Sequence, residues 1–316
     1  FFFDMFSSIL HGRVSPTLFR RVAPQVRTFG VDTGRDLAWN TSGVNRHGFP
    51  WPPDCSEESL DFAEAWQPGP QDVFVSTYPK SGTTWMLHMV HQLASKGEFN
   101  YTYFHEVNPF WEATPDIHIS LDAAAPPRVI KTHAPLSLIP AFVQGKCRAI
   151  YVVRDPRDTL VSFYNHSLLT QHLSWDGSFQ TFYENFMAGK LYYGSWFDHA
   201  VDALQHKGSP QLLFLSYEEM QKDLPGVLQQ IIAFMGYDVS AEVVENVIKP
   251  RLGFKFMKEH DKKFDFTLHY PTRKEGGSFF RRGVSGDGEA FLEDAHREAI
   301  RDKYNAMIGD KLPYQM

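Results

Sequence analysis

The sequence predicts a single α/β domain built on a parallel sheet that is flanked by helices on both faces. Three observations predict it. Short apolar and β-branched segments alternate along the chain with segments of helical periodicity. Polar and charged residues follow directly after each apolar segment. The 316-residue chain is long enough to bury one large core, and it contains no internal repeat.

Four strands are expected, over 72–78, 128–131, 148–153 and 211–215. Each is apolar along most of its length, which is typical of parallel strands covered on both faces. The first strand stops at Pro79. Ligands of such sheets bind beyond the carboxyl ends of the strands, so we expect the functional residues to lie there.

Helices are expected after these strands. The first runs from about Gly82 to Ala94, where Trp85, Met89 and Leu93 recur about once a turn. Asp155 suits an N-cap, and Pro156 suits the first position of the next helix. Ser216 with a glutamate three residues later predicts a capping box at the start of another helix.

The remaining segments have less regular patterns. Residues 49–53 are rich in Pro and Trp and are predicted to be irregular. Residues 250–288 lack clear periodicity and are predicted to form a lid or binding loop. Residues 289–308 are predicted to form a surface helix.

Residues 1–35 are interpreted as an N-terminal extension to a domain spanning 36–316. Residues 1–31 contain four arginines and one acid, a composition found in organelle transit peptides. A segment that packs on the domain has the same features. Both interpretations stay open.

Composition narrows the class of function. The formal net charge is −6, which argues against a nucleic-acid binder and requires any anion site to be local. No apolar run approaches the ~20 residues that span a bilayer. Cys55 and Cys147 are the only cysteines, which indicates a reducing compartment. We expect a cytoplasmic protein, with organelle import left open.

The turn after the first strand carries the clearest motif, Tyr78-Pro79-Lys80-Ser81-Gly82-Thr83-Thr84-Trp85. Unpaired N–H groups and the dipole at a helix N-terminus form an anion site, and Gly82 permits close approach of the backbone. Lys80 adds charge, and three hydroxyls add donors. The motif is P-loop-like, but it is not a Walker A sequence, because the lysine precedes the glycine.

This octet resembles the 5′-phosphosulfate loop of the cytosolic-type sulfotransferases, and further motifs extend the resemblance over about 36–288. The resemblance implies an enzyme that transfers a sulfonate from PAPS to a hydroxyl or amine of a small molecule, leaving adenosine 3′,5′-bisphosphate (PAP). It implies that Lys80 contacts the phosphosulfate and that Trp85 stacks on adenine. Ser81, Thr83 and Thr84 would hold the 5′-phosphate.

Two later motifs match the family's 3′-phosphate contacts. Arg154 to Ser162 resembles the first, with Arg154 and Ser162 as the expected ligands. Arg281-Arg282-Gly283 resembles the second, with Arg in place of the family's Lys at 282. Gly288 stands where the family has Trp, and Leu292 where it has Phe, which puts the packing of the lid in doubt.

The adenine contacts are carried over to Tyr217, Phe254 and Met257. A polar pair of the family is replaced by Leu252 and Gly253, so its side-chain contacts to adenine are lost or changed.

Lys131-Thr132-His133 follows the second strand. The matching His in the family is the general base, and imidazole suits that role because its pKa lies near ~6.5. Lys131 and Lys80 would offset charge on the sulfonate and the departing phosphate. We assign His133, Lys80, Lys131 and Ser162 as the catalytic candidates. No metal is required.

The acceptor side is less defined. Phe110 matches the family's acceptor gate, and Tyr164 and His166 are further candidates for an aromatic pocket. The family's dimer motif is missing from about 289–300, so the oligomeric state stays open. Alternatives are a P-loop-type small-molecule kinase, a non-catalytic PAPS- or adenylate-binding protein, and a PAPS-binding dehydratase in which elimination follows sulfonation. Dependence on Mg²⁺ and the mass of the product would distinguish them.

Overall fold

A computed structural model describes residues 43–113, 119–169, 175, 177–265, 280, 283, 285–314 and 316. The predicted extension over 1–35 therefore lies outside the described residues, and so do Arg281 and Arg282 of the second 3′-phosphate motif.

The strands within the described residues are β1 Asn45–Arg46, β2 Phe49–Pro50, β3 Val73–Thr77, β4 Val129–Thr132, β5 Arg148–Val153 and β6 Leu212–Ser216. The first helices are α1 Glu57–Ala65, α2 Thr83–Ala94, α3 Pro140–Val143, α4 Pro156–Ser167, α5 Phe179–Ala188, α6 Trp196–Gln205, α7 Tyr217–Lys222 and α8 Leu224–Met235. Later helices are α9 Ala241–Val243, a π-helical turn Val244–Ile248, α10 Lys249–Leu252, α11 Phe254–Glu259, α12 Asp261–Phe264, α13 Asp287–Phe291 and α14 Asp294–Met307. Short 3₁₀ turns occupy Phe104–Glu106, Leu136–Leu138 and Gly309–Lys311.

The central sheet contains four parallel strands in the order β4-β3-β5-β6. Each of the four lies within one residue of its expected bounds at both ends. The chain leaves β3 toward β4 on one side, and β5 lies on the other side of β3. The turns after β3 and β5 are therefore neighbours at a switch point, where such sheets bind ligands.

Helices cover both faces of this sheet, as predicted. Val73 and Val75 pack on one face with α2 and α8, in a core cluster that includes Met86 and Ile231. Phe74 points to the opposite face, in a second cluster with residues of α4, α5 and α6. The alternation along β3 is the period of two expected of a strand buried on both sides.

The predicted helix starts are confirmed where a side chain caps them. The Asp155 carboxylate accepts the Arg157 N–H at 2.8 Å, and Pro156 occupies the first position of α4. Ser216 and Glu219 form the capping box of α7. The predicted helix over 289–308 is in fact two, because α13 ends at Phe291 and α14 begins at Asp294.

Two segments predicted to be irregular contain regular structure in part. Residues 249–264 form α10, α11 and α12, which at four to six residues are too short to show a helical period. Within 49–53, Phe49–Pro50 pairs with Asn45–Arg46 in a two-stranded ribbon. His47 and Gly48 make its turn with φ values of 57° and 74°, as a type I′ hairpin requires. Among the described residues, no helix combines the length and apolarity needed to cross a bilayer.

Candidate active site

A cavity of about 610 Å³ opens at the carboxyl ends of the central strands. Its size is in the range of small-molecule sites, about 300–1,000 Å³. The predicted site residues that line it are Lys80, Gly82, Thr83, Thr84, Trp85, Phe110, Lys131, His133, Arg154, Ser162, His166, Tyr217, Phe254, Met257 and Gly283. The structure thus brings together residues from all the motifs that fall within its described part.

The phosphate loop has the backbone of a tight strand-to-helix turn. Lys80 has a φ of 69° and Gly82 a φ of 103°, and α2 begins at the next residue. A Cβ at Gly82 would lie 2.7 Å from a ring carbon of Tyr217, so this position requires glycine for both conformation and space. Because Gly82, Thr83 and Thr84 line the cavity, the N-terminal turn of α2 with its unpaired N–H groups borders it.

Arg154 is held rigidly beside this loop. It is 8% exposed, and its Nη1 donates to the Lys80 carbonyl at 3.2 Å. The guanidinium carbon lies 4.4 Å from the centre of the Tyr217 ring, a cation–π contact. Ser162, two helical turns further along α4, lines the same cavity. A guanidinium and a hydroxyl placed in this way suit one phosphate group.

The hydroxyls of the loop differ in their placement. Thr83 Oγ1 lies 2.6 Å from Thr77 Oγ1, within hydrogen-bond distance. Ser81 is fully buried and is not among the lining residues, and its hydroxyl has no hydrogen-bond partner among the residues that the structure covers. Contact of Ser81 with the 5′-phosphate stays a prediction.

Aromatic side chains line the cavity beside the phosphate loop and Arg154, the region that we call the donor end. Trp85 Nε1 donates to the Leu252 carbonyl at 2.8 Å, and its ring lies 5.6 Å from that of Tyr217. Gly283 packs directly on Phe254, where an added Cβ would come within 2.0 Å of the ring. Trp85, Tyr217 and Phe254 all line the cavity, and flat aromatic surfaces of this kind suit a purine base.

The segment after Gly283 docks on α4 through its backbone. The Asp158 carboxylate accepts the N–H groups of Gly286 at 2.9 Å and Gly288 at 2.7 Å. A Cβ at Gly288 would lie 2.4 Å from the Arg157 carbonyl carbon. The glycine that replaces the family's Trp is therefore required by this close contact, while Leu292 is buried.

His133 lines the same cavity and is 9% exposed; together with Lys131, Phe110 and Tyr193 it forms what we call the base end. Its Nδ1 lies 2.9 Å from the Thr77 carbonyl oxygen, which can only accept a hydrogen bond. Nδ1 therefore carries the proton, and Nε2 keeps the lone pair that a base needs. Burial lowers the pKa of His133 well below its usual value, and the charge of Lys131 lowers it further, so the ring is neutral near pH 7.

Two aromatic rings hold the imidazole edge-on, Phe110 at 5.5 Å and Tyr193 at 5.1 Å. The Lys131 ammonium lies 3.6 Å from the centre of the Phe110 ring. Burial lowers the pKa of Lys131, and the carboxylate of Glu112 raises it. Glu112 and Tyr193 were not predicted, because neither stands in a recognisable motif and only the fold brings them to His133.

Of the three residues predicted for the acceptor pocket, two line the cavity. Phe110 and His166 line the cavity. Tyr164, which precedes His166 by two residues on α4, packs against Phe179 at 5.1 Å and Phe182 at 5.4 Å and is not among the lining residues. Asp54, Tyr192 and Tyr193 line this end and were not predicted. Within the described part of the chain, no group of three or more His, Cys, Asp or Glu side chains is arranged to hold a metal ion.

Comparisons with known proteins agree with this geometry. Residues 70–312 match the sulfotransferase domain family. The chain is 32% identical over 284 residues to sulfotransferase 2B1 of Mus musculus, covering 86% of this chain and 83% of that protein. The structure of a mouse sulfotransferase complexed with PAP superposes with a TM-score of 0.70 at 26% identity, covering 85% of this chain and 95% of that one.

A retinol dehydratase solved with retinol and PAP superposes equally well, with a TM-score of 0.70 at 25% identity, covering 88% of this chain and 93% of that one. The family match and the sulfotransferase relatives do not favour the kinase or dehydratase alternatives. The chain belongs to the sulfotransferase domain family, and it is a sulfotransferase.

Proposed function

We propose that the protein transfers the sulfonate of PAPS to a hydroxyl or amine of a small-molecule acceptor by in-line displacement, with His133 as the general base. The observation that carries the proposal is the contact between His133 Nδ1 and the Thr77 carbonyl oxygen, from which the tautomer follows. Its Nδ1 donates to the Thr77 carbonyl at 2.9 Å, which leaves Nε2 as the proton acceptor in a cavity that also contains Lys80 and Arg154.

The donor end of the cavity suits PAPS in charge and shape. Lys80 and the first turn of α2 would bind the 5′-phosphosulfate, and Arg154 with Ser162 would bind the 3′-phosphate. Trp85 and Phe254 would hold adenine between them. Arg281 and Arg282 are proposed as further 3′-phosphate ligands from the resemblance alone. Two solved relatives contain PAP, the desulfonated product.

The base end accounts for the chemistry. The acceptor oxygen forms its bond to sulfur while its proton passes to His133 Nε2, and the bond from sulfur to the phosphate oxygen breaks. Lys80 and Lys131 offset the negative charge on the sulfonate oxygens and on the departing phosphate. These lysines and the helix dipole supply what Mg²⁺ supplies in a kinase, so the proposal needs no metal.

The acceptor is proposed only as a class. Phe110, Phe163, Tyr192 and Tyr193 give the base end aromatic walls, which suits a planar or mostly apolar molecule. Solved retinol dehydratase complexes contain retinol or androsterone at 25% identity to this chain. The cytoplasmic location and the absence of a nucleic-acid partner stay predictions, and the oligomeric state stays open.

The test is transfer from PAPS to a panel of phenols, alcohols and amines by the purified chain in the presence of EDTA. We expect PAP and an acceptor that has gained one SO₃ group, identified by mass. A product that has lost water would show a dehydratase. A phosphorylated product that requires Mg²⁺ and ATP would replace the proposal with a kinase.

A further inference from the structure

A carboxylate that no motif identified lies directly beneath the base. Glu112 is fully buried, and its Oε1 accepts the backbone N–H of His133 at 2.7 Å. Its own carbonyl oxygen accepts the Ser59 hydroxyl at 3.0 Å. The contact to His133 joins two segments of the chain, so it depends on the fold.

The segment that carries Glu112 pairs with the end of β4. The Lys131 N–H donates to the Pro109 carbonyl at 2.9 Å, and the Trp111 N–H donates to the Lys131 carbonyl at 2.9 Å. Phe110 forms an isolated bridge with Lys131, and the chain then turns, with the Ala113 N–H donating to the Phe110 carbonyl at 3.3 Å. The Phe110 ring contacts both Lys131 and His133, and the turn after it carries Glu112 to the His133 N–H.

The carboxylate also acts on the charge of Lys131. Burial lowers the pKa of this lysine, and Glu112 is the largest of the influences that raise it, followed by Asp54 and Cys55. Burial in turn raises the pKa of Glu112. The two groups favour each other's charged forms, since a buried charge is tolerated when it is paired.

We propose that Glu112 is a positioning residue for sulfonate transfer, which fixes the backbone of His133 by a hydrogen bond and sets its carboxylate against the positive charge of Lys131. This inference rests on the proposed function. Glu112 acts through the two residues that touch the reacting groups and does not itself touch them.

The competing explanation is that Glu112 only satisfies the buried His133 N–H. The carbonyl oxygen of a glutamine would accept that hydrogen bond without the cost of burying a charge. The two explanations therefore differ in whether Glu112→Gln changes the pKa of Lys131. Glu112→Leu, in contrast, removes both the hydrogen bond to His133 and the negative charge.

Asp72 provides a matched control. It is also a buried carboxylate, 1% exposed, and it accepts the Arg128 N–H at 2.7 Å. It directly precedes β3, at the opposite end of the sheet from the cavity. Asp72→Asn should lower the melting temperature without changing the titration of Lys131.

Three measurements are made on the full chain and its variants. The pKa of Lys131 is measured by NMR of lysine-labelled protein, and the Lys131 signal is assigned by its loss in Lys131→Arg. This titration needs no acceptor substrate. The pH profile of kcat/KM is recorded with PAPS and 2-naphthol as the probe acceptor. The dissociation constant of PAP is measured by calorimetry.

For Glu112→Gln we expect the pKa of Lys131 to fall by about one unit or more. Because transfer needs the ammonium, the alkaline limb of the pH profile should move down by the same amount, with PAP affinity unchanged. Glu112→Leu should lower kcat about 10²-fold, because the base is displaced. A Gln variant in which Lys131 titrates as in the wild type would overturn the inference. Failure of the wild type to bind PAP would instead overturn the proposed function.

Discussion

The two ends of the cavity are built in different ways. The donor end is formed mainly by contiguous motifs at strand-to-helix turns, residues 78–85 after β3 and 154–162 after β5. The base end is assembled from His133, Lys131, Phe110, Glu112 and Tyr193, which come from three separated stretches of chain. Phosphate recognition thus depends on local backbone geometry, whereas base positioning depends on long-range packing.

The ends also differ in their electrostatics. Arg154 at the donor end is fixed by the Lys80 carbonyl and the Tyr217 ring, so its guanidinium donors are held in one geometry. Burial at the base end shifts the pKa values of His133 and Lys131 downward. The comparison predicts that substitutions of the phosphate-binding residues at the donor end weaken PAP binding. Substitution of the base at the other end should lower kcat instead.

The largest effect is expected at the base. His133→Ala removes the proton acceptor and should lower kcat by about 10²-fold or more, while the dissociation constant of PAP stays within about twofold. Steady-state kinetics and calorimetry measure the two quantities. His206→Ala, outside the cavity lining, is the control. Near-normal turnover of His133→Ala would remove it from the base role.

The next effect is expected at the donor end. Arg154→Met removes a charge-assisted contact worth about 1.5–3 kcal/mol, so PAP should bind about 10- to 100-fold more weakly. AMP, which lacks the 3′-phosphate, should lose much less affinity. Arg154→Lys should not restore PAP binding fully, because lysine cannot reproduce the stacked guanidinium. If PAP and AMP lost affinity equally, Arg154 would contact a part of the nucleotide that both ligands share and not the 3′-phosphate.

A smaller effect is expected at the acceptor wall. Phe110→Ala should raise the acceptor KM about tenfold, the cost of one lost aromatic contact of about 1–1.5 kcal/mol, without changing PAP affinity. Tyr164→Ala is the comparison, since Tyr164 packs against α5 and lies outside the lining. A greater rise in KM for Tyr164→Ala would reverse our placement of the acceptor.

The smallest effect concerns pH. The lowered pKa of His133 means that the imidazole stays neutral until the pH falls through that lowered value. The acid limb of the kcat/KM profile should therefore lie below pH ~6.5, the ordinary histidine pKa. The profile is recorded with saturating PAPS. An acid limb above ~6.5 would mean that His133 is less buried in solution than the structure shows.

The same contrast explains what the sequence could predict. The Lys80–Gly82 turn and the Asp155–Pro156 helix start were predicted because their signals are local in sequence. Glu112 was not predicted, because its role arises only when the 109–112 segment pairs with β4. Tyr164 was assigned to the acceptor pocket by its neighbours on α4, and the rotation of the helix places it against Phe179 instead.

The separation of donor binding from base chemistry is the central claim, and one calorimetric series tests it most directly. PAP and AMP are titrated without metal into the wild type, His133→Ala and Arg154→Met. We predict that His133→Ala binds PAP like the wild type and that Arg154→Met loses most of the preference for PAP over AMP. Weakened PAP binding in His133→Ala together with an unchanged preference in Arg154→Met would contradict the account.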